Sequence, residues 1–343
     1  MSSTESPDTA TAALPVPPAG PGRRGAAETV RTVTLPGLTL TVRAPAGRPE
    51  GHDGAADGSG GGSGAAREPA LYVHGLGGSS QNWSALMPLL ADRLDGEAID
   101  LPGFGLSPPP DDGNYAVSAQ ARAVIRHLDA ADRGPVHLIG NSMGGAAATR
   151  VAAVRPDLVR TLTLISPALP ELRPQLTAVP TALLAVPGIT GVFARLTRDW
   201  TPERRTREVM ALCYGDPGKV TPEGFNDAVD EYARRLELPY FWEVMERSAR
   251  GLVNAYTLGG QHNLWRQAER VLAPTLLVYG GRDRLVSFRM ARRAAAAFRG
   301  SRLLTLPEAG HVAMMEYPET VARAVRDLLD SAVTDVTADA GRS

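Results

Sequence analysis

Three residues of this chain are of the right type and in the right surroundings to do chemistry together: Ser142, Asp283 and His311. Ser142 is the centre of Gly140-Asn141-Ser142-Met143-Gly144, followed by Gly145. The β-formers Val136-His137-Leu138-Ile139 run into it, and the helix-forming stretch Ala146 to Val154 runs out of it. Strand, sharp turn and helix with serine at the apex is the pattern of a nucleophile elbow. A serine hydroxyl is a poor nucleophile until a base takes its proton, so it must stand clear of the sheet that carries it. Gly140 and Gly144 let strand and helix approach around a strained turn. The helix N-terminus behind Ser142 leaves N–H groups unpaired, and that of Met143 can face an oxyanion. Alone, G-x-S-x-G in a chain with 36 glycines reads equally well as a glycine-rich turn capped by serine.

Asp283 follows the strand-like Thr275-Leu276-Leu277-Val278-Tyr279 within Gly280-Gly281-Arg282-Asp283, and His311 follows the strand-like Arg302 to Leu306 within Glu308-Ala309-Gly310-His311-Val312. In these roles His311 takes the proton of Ser142 and returns it to the leaving group, while Asp283 holds the other ring N–H and stabilises the imidazolium. A further loop, His74-Gly75-Leu76-Gly77-Gly78, follows the buried strand Ala70 to Val73 and can offer the N–H of Leu76 to the same oxyanion. No Gly-Lys-Ser/Thr follows it, which argues against a nucleotide-phosphate loop. His74 reads as a structural loop histidine. Asp100 reads as a turn carboxylate accepting backbone N–H bonds, although it is a second possible acid. The single cysteine, Cys213, allows no intramolecular disulfide or cysteine metal site and reads as a packed helix residue. No metal or cofactor is expected.

The elements that must position these residues alternate. Thr29 to Leu35 and Leu38 to Val42 form an edge hairpin around Pro36-Gly37. Helices are predicted over Asn82 to Leu94 and Val117 to Leu128, and strands over Glu97 to Ile99 and Val159 to Ile165. Such βα alternation predicts an α/β fold: a mostly parallel twisted sheet with helices on both faces, and a site at the carboxyl ends of its strands. From Ser166 the pattern breaks into helices, over 180–196, 201–214, 221–236 and 241–257. This predicts a helical cap over 167–272, between core segments 29–166 and 273–331; a packed layer that never meets substrate is the plainer alternative. Leu183, Val186 and Phe193 of the first cap segment, with Val312, are the candidate apolar substrate-binding residues. Arg195, Arg198, Arg204 and Arg205 are the cap cations that could turn inward. Residues 1–28 and 332–343 read as disordered, 45–68 as a flexible Gly/Ser-rich insertion, and 318–330 as the closing helix.

A formal net charge of −1 gives no support for a nucleic acid or an anionic membrane as partner. No apolar run reaches the length of a membrane helix, and no basic segment precedes an apolar one near Met1, so the reading is a cytoplasmic protein acting on a small apolar molecule. Oligomeric state is not legible.

Taken together, His74 to Gly78, the Asp100-Leu101-Pro102-Gly103-Phe104-Gly105-Leu106-Ser107 turn, Gly140 to Gly145, Gly281-Arg282-Asp283 and Gly310-His311 resemble the α/β-hydrolase superfamily, in its cap-bearing serine-hydrolase branch. The resemblance spans about residues 70–330 and implies the fold, the triad and an acyl-enzyme intermediate. Ser142 excludes the members with aspartate at the elbow, such as epoxide hydrolases and haloalkane dehalogenases. Gly-Asn-Ser-Met-Gly-Gly is similar to the meta-cleavage-product C–C hydrolases, yet Val312 stands where those usually carry tryptophan. Three activities remain open: hydrolysis of carboxylic esters with an apolar acyl or alkyl part, C–C hydrolysis of ring-fission diketones, and ligand binding with little turnover.

Overall fold

A computed structural model of the protein describes residues 28–45, 67–171 and 173–340, with side chains through Ala332. The stretches read from sequence as N-terminal disorder and as a flexible insertion fall almost wholly outside these residues. Eight strands form one sheet: β1 (Glu28–Leu35), β2 (Leu38–Pro45), β3 (Glu68–Val73), β4 (Leu94–Asp100), β5 (Val136–Asn141), β6 (Val159–Ile165), β7 (Thr275–Gly280) and β8 (Arg302–Leu306). Their spatial order is β1-β2-β4-β3-β5-β6-β7-β8. The β1–β2 hairpin turns on Pro36 and Gly37, whose φ is 68°. It is antiparallel to β4, and every later pairing is parallel. All the parallel strands therefore deliver their following loops to one edge, which is what brings together residues as distant in sequence as 74, 142 and 311.

The helices are α1 (Val117–Ala131), α2 (Met143–Val154), α3 (Val179–Leu183), α4 (Ile189–Leu196), α5 (Pro202–Cys213), α6 (Pro222–Leu236), α7 (Phe241–Thr257), α8 (Leu264–Ala268), α9 (Met290–Ala297), α10 (Ala313–Glu316) and α11 (Pro318–Ala340). Side chains alternate across the sheet. Leu71 and Val73 of β3 join a core with α1, α2, α8 and α9 on one face, whereas Ala70 and Tyr72 join a second core with Trp83, Leu90 and α11 on the other. Both sheet faces are thus covered.

The structure departs from the sequence reading in three places. The stretch 82–94 is not one helix but two short 3₁₀ turns, Ser80–Trp83 and Met87–Leu90, after which β4 already begins at Leu94. A continuous helix would put Pro88 in its interior, where it lacks the N–H and clashes with the preceding turn. Trp83, Leu86, Met87 and Leu90 are nonetheless all buried, which is why their spacing imitates a helix. The closing helix runs to Ala340 rather than ending near 330. Finally, Leu264, Trp265 and Ala268 of α8 belong to the core beside α2, a core that Val244 and Ala255 of α7 also join. Two of the cap helices open alike: Thr201 caps α5 and Thr221 caps α6 through the side-chain oxygen, with proline in the first turn.

Candidate active site

β5 hands the chain to α2 through a single residue. Ser142 has φ 54° and ψ −118°, a conformation that costs a non-glycine residue about 1–3 kcal/mol. Three backbone bonds hold it there. Its N–H donates to Ile165 O (3.1 Å), and its carbonyl accepts from Ala146 N–H (3.0 Å) and Ala168 N–H (3.0 Å). The glycines of the motif make room for this turn. A Cβ at Gly144 would lie 2.3 Å from Val73 O, one at Gly140 would lie 2.7 Å from Gly144 O, and one at Gly75 would lie 2.9 Å from Ser142 Cβ. No side chain fits at any of the three.

Asp283 and His311 meet as the sequence anticipates. His311 Nδ1 lies 2.9 Å from Asp283 Oδ2, and both residues are buried. The other carboxylate oxygen, Oδ1, accepts from Leu285 N–H (2.8 Å) and Val286 N–H (2.9 Å), which leaves Oδ2 to the imidazole. Burial pushes the Asp283 carboxyl up, but the His311 ring and these two N–H groups outweigh it and hold the pKa below its ordinary value. A proton on Nδ1 toward the ionised Asp283 leaves the far nitrogen, Nε2, free to accept one. His311 lines the same cleft as Ser142.

Two residues that position His311 escaped the sequence reading. Asn141, next to the serine, donates through Nδ2 to Ile165 O (3.0 Å) and His311 O (3.1 Å). Glu316 accepts from Gly310 N–H at Oε1 (2.7 Å) and from Gly215 N–H and Asp216 N–H at Oε2 (2.9 and 3.2 Å). The His311 N–H itself donates to Cys213 O (2.7 Å), so α5 of the cap grips the histidine loop directly. The available signal was Glu316 itself, an acid within the apolar run Val312-Ala313-Met314-Met315.

The Gly75 carbonyl accepts from His74 Nδ1 (2.7 Å) and from Gly78 N–H (3.1 Å). His74 Nε2 accepts from Leu101 N–H (2.9 Å), so the ring proton is on Nδ1. Burial, against the charge of Asp100, lowers the His74 pKa to about 4, and the ring is neutral. In a trans peptide the carbonyl and the next N–H point opposite ways, so anchoring Gly75 O turns Leu76 N–H away from His74. Among the described residues, neither Leu76 N–H nor Met143 N–H donates to a backbone carbonyl. Asp100 is occupied elsewhere: it accepts from Ser80 N–H (2.6 Å) and Leu106 N–H (2.8 Å), the turn role expected of it.

Above these groups lies a cleft of about 1970 Å³, floored by the Gly75–Ser80 loop and Ser142 and walled by the cap. Leu183, Phe193 and Val312 line it; Val186 does not. Val186 sits in the turn between α3 and α4, two residues before the α4 cap Gly188 (φ 79°), and is exposed. Ile189, Val192, Phe193 and Leu196 of α4, spaced i, i+3, i+4 and i+7, line the cleft instead of packing into a core, and Leu196 is 74% exposed. Trp242, Met245 and Tyr256 of α7 complete that wall. The sequence reading missed this aromatic contribution.

Of the four cap arginines that could turn inward by sequence, Arg195, Arg198, Arg204 and Arg205, none lines the cleft. Arg204 stacks on Trp200, and Arg205 is buried within the cap against Thr197 O and Trp200 O. The arginines that line the cleft are Arg43, Arg234, Arg235 and Arg284. Among the described residues, no group of three or more His, Cys, Asp or Glu is placed to hold a metal ion. None of the described helices is long and apolar enough to cross a membrane.

Known proteins agree with this architecture. Residues 70–324 match the model of the alpha/beta hydrolase family. The chain is 32% identical over 266 residues to the dihydrolipoyllysine-residue acetyltransferase component of the acetoin cleaving system of Pseudomonas putida, covering 74% of this chain and 61% of that protein. It spans a similar share, 60%, of the counterpart from Cupriavidus necator. It is 26% identical over 273 residues to an esterase of Mycobacterium tuberculosis, covering 76% of this chain and 82% of the esterase. A solved meta-cleavage product hydrolase from Pseudomonas fluorescens IP01 superposes with a TM-score of 0.67 at 18% identity, covering 88% of this chain and 98% of that one. The matched sheet, the elbow and the loops at its carboxyl edge are one and the same region, and the chain belongs to the alpha/beta hydrolase family.

Proposed function

We propose that the protein is a serine hydrolase acting on carboxylic esters with an apolar acyl or alkyl part. The observation that carries this reading is the buried His311–Asp283 pair, 2.9 Å apart, whose histidine lines the same cleft as a serine held at positive φ. In this mechanism Ser142 Oγ attacks the ester carbonyl as His311 Nε2 takes its proton. The carbonyl oxygen, now an oxyanion, is met by Leu76 N–H and Met143 N–H. His311 then protonates the leaving alkoxide, and water repeats the sequence on the acyl-enzyme. The lining supports the substrate class. The cleft exceeds the ~300–1,000 Å³ of an ordinary small-ligand site, and the α4 stripe with Trp242 and Tyr256 gives an acyl chain an apolar wall. Leu183, Phe193 and Val312 are the contacts assigned to that chain.

The test is fluorophosphonate labelling of the wild type and of Ser142→Ala, followed by p-nitrophenyl esters of graded length beside a ring-fission dienoate. Labelling lost in the variant, with kcat/KM rising toward medium acyl chains, supports the reading. A clear preference for the dienoate would replace it with C–C hydrolysis. Tight ligand binding without labelling would replace it with a binding protein.

A further inference from the structure

Helix α6 lines one flank of the cleft with Asp227, Asp230, Glu231, Arg234 and Arg235, and its two arginines cross from the cap to the core. Arg234 Nη2 donates to Gly105 O (2.8 Å), and Arg235 Nη1 donates to Gly77 O. Glu231 holds both arginines from below, accepting from Arg234 Nε at Oε2 (2.9 Å) and from Arg235 Nε at Oε1 (2.9 Å). The Glu231 side chain is only 11% exposed and that of Arg235 15%. Burial pushes the Glu231 carboxyl up, yet the two guanidiniums overcome it and keep its pKa below the ordinary value.

An obvious role for two arginines in a hydrolase cleft is to receive an anionic substrate. The local charges argue otherwise. Glu231 pairs with both arginines, and the charge of Asp100 also favours Arg234, so two cations face two anions. What the arginines reach is more telling. Gly77, at φ 69°, is the apex of the Gly75–Gly78 turn that carries Leu76 N–H. Gly105 lies directly over the Asp100 carboxyl, in the loop that starts at Leu101, the residue whose N–H fixes the tautomer of His74. His74 holds that turn from the core side through Gly75 O, and Arg235 holds it from the cap side through Gly77 O.

We infer that Arg235, braced by Glu231, is a positioning residue for the reaction: it docks the cap onto the Gly75–Gly78 turn and so sets the direction of the Leu76 N–H that meets the oxyanion. This rests on the serine-hydrolase reading. Losing an oxyanion donor outright costs about 10²–10³-fold in kcat, and a displacement of about 1 Å can cost about 10²-fold. A loosened turn should therefore cost about 10- to 100-fold in kcat.

The experiment compares wild type, Arg235→Met, Arg235→Lys and Glu231→Gln on p-nitrophenyl acetate and p-nitrophenyl octanoate, with melting temperatures to show folding. It also measures inhibition by an alkyl trifluoromethyl ketone, whose adduct with the serine places an oxyanion. Arg235→Met keeps the stem and loses the donors. Its kcat should fall about 10- to 100-fold on both esters with KM within about twofold, and the ketone Ki should rise by the factor that kcat/KM falls. Arg235→Lys, with one donor restored, should recover part of both. If Arg235→Met does not fold, Arg235→Lys and Glu231→Gln should show the same parallel losses at smaller size. A wild-type kcat with a raised KM for the octanoate alone would overturn the inference and leave Arg235 as a wall of the cleft. So would a lowered kcat with an unchanged ketone Ki. Wild-type protein that neither turns over ester nor reacts with fluorophosphonate at Ser142 would overturn the hydrolase reading, and the inference with it.

Discussion

His74 offers a test in which the size of the effect follows from the structure. The ring is buried, its Nε2 accepts from Leu101 N–H and its Nδ1–H is spent on Gly75 O, so a second proton has no acceptor and destroys the Leu101 bond. Burial dominates the charges around it, which are Asp100 and Glu231 favouring protonation and Arg235 opposing it, and the pKa falls from 6.5 to about 4. Between those values the unfolded chain binds a proton that the folded chain refuses. Stability therefore rises with pH across that window and is lost as pH falls from about 6.5 toward about 4. For one such group the loss between about pH 7.5 and pH 4.5 is on the order of 2–3 kcal/mol, from the same linkage relation. The perturbation is His74→Asn, which keeps a donor and an acceptor but cannot titrate. Urea unfolding of both proteins at the two pH values gives a double difference in which the carboxylates and His137 cancel. We expect the variant to be the less stable protein at pH 7.5 and to lose on the order of 2–3 kcal/mol less than wild type on acidification. Equal losses in the two proteins would refute the assignment of His74 as a buried neutral strut.

Three further outcomes follow from the same geometry. Asp283→Asn should lower kcat about 10³–10⁴-fold with little change in KM, because the amide no longer fixes the His311 tautomer; a larger loss for Asp100→Asn, measured side by side, would move the acid to Asp100. Gly144→Ala should give little soluble folded protein by expression and circular dichroism, since the new Cβ would stand within 2.4 Å of two carbonyl oxygens, Val73 O and His74 O, on an immobile strand end. Cys213 lines the cleft, but burial and the charges of Asp283 and Glu316 push its thiol up to about 12, so iodoacetamide should alkylate it slowly at about pH 8 and faster only as pH rises well beyond the range of an exposed thiol.

What the sequence determined by itself is the part written in local rules. Glycine spacing around Ser142 dictates an elbow because no Cβ fits, and the near-continuous apolar runs of β3 and β5 to β7 dictate a sheet covered on both faces. The order Ser142, Asp283, His311, each just past a strand, then needs only a parallel sheet to converge, and the structure pairs Asp283 with His311. The closing helix was underestimated because Ser331 to Ala340 offers too weak a pattern to extend it from sequence. The 82–94 segment misled because four buried apolar side chains at helical spacing outweigh one proline on paper, whereas Pro88 decides the backbone. Only the tertiary structure could decide which cap side chains face the cleft. That choice depends on where α4, α6 and α7 cross, not on any spacing within them, so Val186 dropped out and Trp242, Tyr256, Arg234 and Arg235 came in. Asn141, Glu316 and Arg235 act by bonding backbone groups of other loops, His311 O, Gly310 N–H and Gly77 O, and such partners carry no signature in the sequence because the bond is to the main chain, which every residue has.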